Sequence, residues 1–211
     1  LTSGLKNIEY FQHSFVLDYI HYMVGLDAIT KDGFISLIRS VVDQSCYDRC
    51  IGRNLNLRYD DRSSILNAPD HNKYILRSKS KFDRMEIVEQ LSNVNYNFLF
   101  VLHNSLANAN ILFEAFPDLK IIHLIRHPID LAYSWMVKDY GRIDLNSNAE
   151  LFKKTGVQPS IAGMNGPLPW YIYSIQSEYE LLDQVDRIIA SIQTLITLCG
   201  NTFASLPDNK K

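Results

Sequence analysis

Arginine, proline and serine are spaced around one helix start in a way that suits anion binding. Residues 119–125 form an almost continuous apolar run, typical of a buried strand in a parallel sheet, and this run ends at Arg126. Ligands of open α/β sheets bind at that edge. A guanidinium offers a planar fork of donors that fits a phosphate, and Ser134 follows eight residues later on the helix that Pro128 opens. The segment therefore predicts a phosphate site formed by Arg126 and Ser134.

The same segment resembles the 3′-phosphate-binding motif of sulfotransferases that use 3′-phosphoadenosine 5′-phosphosulfate (PAPS). The likeness covers roughly twenty consecutive positions, 116–135, from Phe-Pro-Asp before the strand to Tyr-Ser-Trp around Ser134. Weaker likeness to bacterial-type members lies at residues 51–54, 112–116 and 169–171. The resemblance implies sulfuryl transfer from PAPS to a hydroxyl or amine of a small-molecule or glycan acceptor. In that case Arg126 and Ser134 hold the 3′-phosphate of the donor, and no metal takes part.

His103 is the candidate general base for such a transfer. It follows the predicted strand at residues 97–102, and a catalytic histidine has a comparable place in the cytosolic members of the family. A neutral imidazole can accept a proton near physiological pH. The structural alternative is that His103 covers a strand-to-helix corner, since the next two residues, Asn104 and Ser105, are good N-caps. Arg126 has a structural alternative too, namely pairing with Asp130.

The resemblance also implies a P-loop-like, three-layer α/β fold in which helices flank a parallel sheet. Members of the family carry a 5′-phosphosulfate loop of Ser-Gly-Thr type after an early strand. The sequence at residues 1–6 contains Ser-Gly but lacks the preceding strand and the Gly-Thr-Thr continuation. We therefore expect a fragment that is truncated at both ends relative to that fold, and that lacks part of the catalytic machinery on its own.

Apolar spacing predicts one sulfotransferase-like domain over residues 1–211. Residues 1–50 form a helical lead-in, with helices at 7–24 and after Thr30. Residues 73–140 form a βα core that contains the phosphate motif, with strands at 74–76, 97–102 and 119–125 and helices near 83–91, 105–116 and after Pro128. Residues 144–169 form an irregular excursion, and residues 170–200 form two helices that end before Gly200.

Composition limits the class of protein. The chain has 211 residues, 46% hydrophobic and 21% charged, and a net charge of -2, which lacks the basic footprint of a nucleic-acid-binding domain. No apolar run approaches the roughly 18 residues of a membrane span. The three cysteines fit no redox or zinc spacing and are expected to be reduced packing residues. These features favour the cytoplasm, and the oligomeric state is left open.

Two other function classes remain at this point. One is a non-catalytic nucleotide-binding module of the same fold that keeps the 3′-phosphate site and lacks the loop. The other is a relative of the P-loop kinases. Basic residues also concentrate between Lys73 and Arg84, where a solvated face is the simpler interpretation than an anion-attracting patch.

Overall fold

Helices make up most of the described chain, and the strands are short. The computed structural model describes residues 8–81, 84–93, 97–142, 160–164 and 166–210. The α-helices are α1 (Phe15–Gly25), α2 (Lys31–Cys50), α3 (His71–Lys79), α4 (Arg84–Asn93), α5 (Ala109–Ala115), α6 (Pro128–Val137), α7 (Gln176–Leu181) and α8 (Gln184–Ser205). Short 3₁₀-helices lie at Ile65–Asn67, Ser105–Asn108, Trp170–Ile175 and Asp208–Lys210. The protein is therefore of mixed α and β structure.

The strands form two small sheets. β1 (Gln12–His13) and β2 (Phe100–Val101) are parallel, with His13 opposite Val101, and a parallel bridge from Ile8 to Asn97 continues their pairing. β3 (Ser160–Gly163) and β4 (Gly166–Pro169) form an antiparallel pair. Among the described residues, β1 and β2 are the only named strands that pair in parallel. The extended parallel sheet expected from the sequence is not present in this part of the chain.

The chain divides into two compact units. The first comprises Leu1–Leu17 and Leu37–His103, and the second comprises Asp18–Ser36 and Asn104–Lys211. His103, the candidate base, belongs to the first unit, whereas Arg126 and Ser134 belong to the second. The expectation of a single domain stays a prediction.

A buried ion-pair network supports β1 in the first unit. The carboxylate of Glu9 accepts hydrogen bonds from the Tyr74 hydroxyl at 2.7 Å and from both terminal nitrogens of Arg77 at 3.0 and 3.1 Å, and it pairs with Lys73 at 2.9 Å. The hydroxyl of Tyr74 also accepts from the backbone N–H of Tyr10. Tyr74 itself packs in an apolar cluster with Ile65 and Ala68. These contacts join α3 to the segment that leads into β1.

The end of α2 requires a glycine. Gly52 has a positive φ of 68°, and a Cβ at this position would collide with the backbone of Ser78. The turn lets the backbone N–H of Arg53 donate to the carbonyl of Asp48 at 2.8 Å. The carbonyl of Arg49 accepts a bond from Arg77 at 3.3 Å. Gly52 therefore allows α3 to lie against the end of α2 that carries Arg49.

The longest helix of the second unit, α8, buries the side chains along one of its faces. Asp183 caps its start by accepting a bond from the N–H of Asp186 at 2.9 Å. Its buried side chains recur at helical spacing and are Ile188, Ser191, Ile192, Leu195 and Cys199. By length and composition alone, this 22-residue helix is apolar enough to cross a bilayer, but a core helix passes the same test. The expectation of no membrane span therefore stays a prediction.

Two strand predictions were wrong. Residues 74–76 lie inside α3. Residues 119–127 have no regular secondary structure, and the side chains of Ile122, Leu124 and Ile125 are 73–80% exposed. A buried strand needs neighbouring strands to bond its backbone and helices to cover its faces. Among the described residues no strand pairs with this segment, so its apolar composition alone does not make it a strand.

Most helix predictions are confirmed, with changes at their ends. α1, α2, α4, α5 and α6 overlap the predicted helices, but α1 begins only at Phe15, and residues 8–13, predicted as part of that helix, contain the bridge at Ile8 and β1 instead. The predicted strand at 97–102 is present as β2 and the bridge at Asn97. Gly200 does not end the last helix, which continues to Ser205 and stops two residues before Pro207. The 144–169 excursion contains the β3–β4 pair, and residues 143–159 lie outside the described residues.

Candidate functional site

Parallel pairing of β1 and β2 brings two histidines together. Because the strands are parallel, their carboxyl ends lie at the same edge, where β1 ends in His13 and His103 follows β2 by two residues. Nε2 of His13 lies 3.4 Å from Nδ1 of His103. The two rings meet edge to face, with centroids 5.0 Å apart and planes at 88°. The carboxyl end of parallel strands is the edge where α/β proteins place their chemistry.

The tautomer of this pair decides what His103 can do. If Nδ1–H of His103 donates to Nε2 of His13, then Nε2 of His103 carries a lone pair and can accept a proton. If the bond runs the other way, Nε2 of His103 carries a proton and can only donate. General-base catalysis therefore needs His13 as the acceptor, which also stabilises the imidazolium that forms. The same two nitrogens are close enough to share a divalent cation, which is the other chemistry that the pair allows.

A cavity of about 300 Å³ borders His13 in the first unit. Two of its lining residues are His13 and Phe15, whose ring centroids lie 4.4 Å apart. The other lining residues come from the end of α2 and the loop that follows, and all but one are polar: Arg49, Asn54, Leu55, Asn56, Asp61 and Ser63. The cavity is thus large enough for a small polar group beside an imidazole.

Arg49 is the buried charge of this cavity. The residue is only 5% exposed, and its guanidinium lies over the ring of Tyr74 at 5.5 Å. Burial lowers the pKa of Arg49, which the nearby Tyr74 and Glu9 partly oppose. The buried Nη1 has no hydrogen-bond partner, and the guanidinium makes no hydrogen bond or ion pair with any residue in the described part of the chain. A buried cation of this kind is costly unless an anion binds it.

Two carboxylates of the first unit, Glu9 and Asp61, already accept hydrogen bonds from other residues. Burial would raise the pKa of Glu9, but the hydrogen bonds from Arg77, Lys73 and Tyr74 outweigh it, so the pKa of Glu9 is below its ordinary value. In the cavity wall, the backbone N–H of Ser63, the amide of Asn56 and the hydroxyl of Ser63 lower the pKa of Asp61. Both groups are therefore anions near neutral pH, and both have their partners elsewhere.

In the second unit, Arg126 lies two residues before α6 and Ser134 lies within α6. Arg126 is exposed and precedes His127, whose carbonyl accepts the first helical bond from Leu131 at 3.0 Å. Ser134, the seventh residue of α6, is half-buried. Their side chains make no hydrogen bond or ion pair with the residues that the structure describes, so their donors are available to a ligand. Their assignment as a phosphate site stays a prediction.

Sequence reasoning did not find His13 or Arg49. His13 lies in a two-residue strand, which is too short to give a period-two pattern. Arg49 lies at the end of α2 between Asp48 and Cys50, where a charged residue ordinarily indicates a solvated helix end. No local signal distinguishes a buried arginine there. Both residues become candidates only through contacts across the first unit.

Comparisons with known proteins give no relative. The chain matches no protein-family model, no curated protein and no solved structure.

Proposed function

We propose that the chain is a sulfotransferase domain that transfers a sulfuryl group from PAPS to a hydroxyl or amine of a small-molecule or glycan acceptor. The observation that carries this proposal is the His13–His103 pair at the carboxyl end of the parallel strands. In the tautomer that has a proton on Nδ1 of His103, His13 accepts that N–H and Nε2 of His103 carries a lone pair. The resemblance around Arg126 and Ser134 supplies the donor class.

The residues of this chain would perform two tasks. When bound, PAPS supplies the sulfuryl group and leaves as adenosine 3′,5′-bisphosphate. Nε2 of His103 takes the proton of the acceptor hydroxyl or amine, while the bond from its Nδ1–H to His13 stabilises the charge that develops. The guanidinium of Arg126 and the hydroxyl of Ser134 would hold the 3′-phosphate, and both side chains are free of other bonds among the described residues.

With this function we also propose a more specific fold and a cellular compartment. The fold that we propose is P-loop-like, with a parallel sheet between helices, and the parallel pair β1–β2 is compatible with it. We also propose a cytoplasmic setting, in keeping with Cys46, Cys50 and Cys199, which are all free thiols.

A calorimetric titration with two nucleotides tests the proposal. We expect adenosine 3′,5′-bisphosphate to bind at least about tenfold more tightly than adenosine 5′-monophosphate, since only the first has a 3′-phosphate for a charge-assisted bond. Equal affinities for the two nucleotides would show that the protein has no specific site for the 3′-phosphate.

A turnover assay separates the enzyme from a non-catalytic binding module. Sulfur-labelled PAPS is incubated with the full-length protein and with a simple phenol, an alkyl amine or an amino sugar as acceptors. Transfer of label to any of them supports the enzyme. Tight binding of the bisphosphate without transfer of label favours the module instead.

A further inference from the structure

Besides the proposed phosphate site at Arg126 and Ser134, we consider a buried cation beside a cavity in the first unit. The inference drawn from it does not depend on the proposed function. Arg49 has a buried guanidinium whose Nη1 makes no hydrogen bond with any described residue, and Arg49 is one of the residues that line the cavity next to His13. Most buried charged groups in proteins are paired or hydrogen-bonded, because water no longer solvates them. An unpaired one at a cavity wall therefore marks a place where a ligand can supply the missing acceptor.

The charged side chains at Tyr74 carry a net positive charge. Four charged side chains meet at Tyr74: the carboxylate of Glu9 and the cations of Arg49, Lys73 and Arg77. One negative charge against three positive charges leaves a net charge of +2 in this cluster. The bonds that Glu9 accepts come from Tyr74, Arg77 and Lys73, so it does not neutralise Arg49.

Carboxylates nearer the cavity do not neutralise Arg49 either. Asp61 accepts three hydrogen bonds from Ser63 and Asn56. Asp48 accepts bonds from Gln44 at 2.7 Å and Asn54 at 2.6 Å, and it lies 3.6 Å from the exposed Arg53. Each therefore has other partners.

The size of the cavity limits the occupant. A water molecule takes roughly 30 Å³ of liquid volume. The cavity measures about 300 Å³, so it holds an oxyanion of a few heavy atoms with room for its hydration. A second cavity of about 470 Å³ also borders Arg49; each cavity has one carboxylate in its lining, Asp61 in the first and Asp48 in the second, but only the first has an imidazole. The cavity next to His13 is the better anion site.

We propose that this cavity binds an oxyanion group, a carboxylate, phosphate or sulfate, through the guanidinium of Arg49. The planar fork of Arg49 suits two oxygens of such a group. His13 lines the same cavity, so a molecule held there by its acidic group lies next to an imidazole of the histidine pair.

Titration of the wild-type protein with single anions tests the site directly. Sodium sulfate, phosphate and acetate are added separately at constant ionic strength, and the Nε–Hε resonance of Arg49 is followed in protein with labelled arginine. The resonance is assigned by its loss in Arg49→Met. We expect a saturable shift with at least one of the three anions, and the response to each one separates carboxylate from phosphate and sulfate. No saturable shift with any of them would overturn the proposal.

Two matched variants provide an independent measurement. Arg49→Met removes the charge at similar length, and Arg53→Met makes the same change at an exposed neighbour whose side chain is 57% accessible. The anion should raise the thermal unfolding midpoint of the wild type and of Arg53→Met. Arg49→Met should bind it at least about tenfold more weakly, as expected when a charge-assisted bidentate contact is lost. Equal binding by Arg49→Met would contradict the proposal, and if this variant does not fold, the resonance titration decides.

Discussion

Nε2 of His13 lies 3.4 Å from Nδ1 of His103, although ninety residues separate the two in the chain. The parallel pairing of β1 with β2 produces this contact, because it places both carboxyl ends at one edge. The pair gives His103 a hydrogen-bond partner, and the tautomer decides which of the two rings donates. It also makes the role of His13 testable separately from that of His103.

Replacement of His103 by alanine should slow sulfuryl transfer by about 100-fold or more, because a general base typically contributes this much. The affinity for adenosine 3′,5′-bisphosphate should not change. Steady-state rates and a calorimetric titration on the same preparation measure the two effects. His71→Ala, at an exposed histidine of the same unit, is the control. Unchanged turnover in His103→Ala would place the base elsewhere.

His13 should behave as a positioning residue. His13→Ala removes the acceptor for Nδ1–H of His103 and should lower kcat by about tenfold, the effect of losing roughly 1.4 kcal/mol of orientation and charge stabilisation. His13→Gln offers an amide oxygen in a similar place and should recover part of the loss. A glutamine variant as slow as the alanine variant would argue for a role other than hydrogen-bond acceptor.

Arg126→Ala should weaken the binding of adenosine 3′,5′-bisphosphate by about 1.5–3 kcal/mol, the range for hydrogen bonds to charged groups. Lys120→Ala removes the same charge from an exposed residue of the neighbouring segment and is the matched control. Calorimetry measures both variants. If the two lose equal affinity, the effect is one of net charge and Arg126 has no specific contact.

Glu9→Gln should destabilise the first unit by about 3 kcal/mol or more, because it leaves the cations of Arg77 and Lys73 without their buried anion. The folded pKa of Glu9 is below its ordinary value, so its contribution is present at neutral pH and is lost as pH falls through that lowered pKa. Urea unfolding at pH 7 and at pH 3 measures the effect. Glu89→Gln, at an exposed carboxylate, should change the free energy of unfolding by less than about 0.5 kcal/mol.

His21 makes the second unit sensitive to mild acid. Its ring is buried with neither nitrogen hydrogen-bonded to a described residue, and burial, partly opposed by Asp18, lowers the pKa of His21 to about 4. His21 therefore gains a proton near pH 6.5 in the unfolded chain but only near pH 4 in the folded chain. The free energy of unfolding falls as pH falls through this window. From pH 7 to pH 5 we expect a loss of about 2 kcal/mol from this residue. Urea unfolding of the wild type and of His21→Leu at both pH values measures it, and an equal pH dependence in the two proteins would contradict the assignment.

Local patterns predicted the helices and much less of the sheet. Pro128 opens α6 because its missing N–H is not needed at that position, and this holds in any surroundings. Thr30 accepts a bond from the N–H of Gly33 at the start of α2, another effect of near neighbours. Residues 119–125 have the composition of a buried strand, but a strand exists only where another strand bonds to it. Composition cannot show whether that partner is present.

The residues of the candidate site also fall into those that the sequence predicted and those that only the structure revealed. The amino-acid sequence by itself determined the starts of α2 and α6, the spacing of Arg126 and Ser134, and the position of His103 just after a strand, because each depends on residues within a few positions of one another. Only the tertiary structure decided that His13 lies against His103 and that Arg49 is a buried cation beside a cavity with no hydrogen-bond or ion-pair partner in the described part of the chain. Pairing of strands and loss of solvent are set by residues distant in the chain, and no local pattern records them.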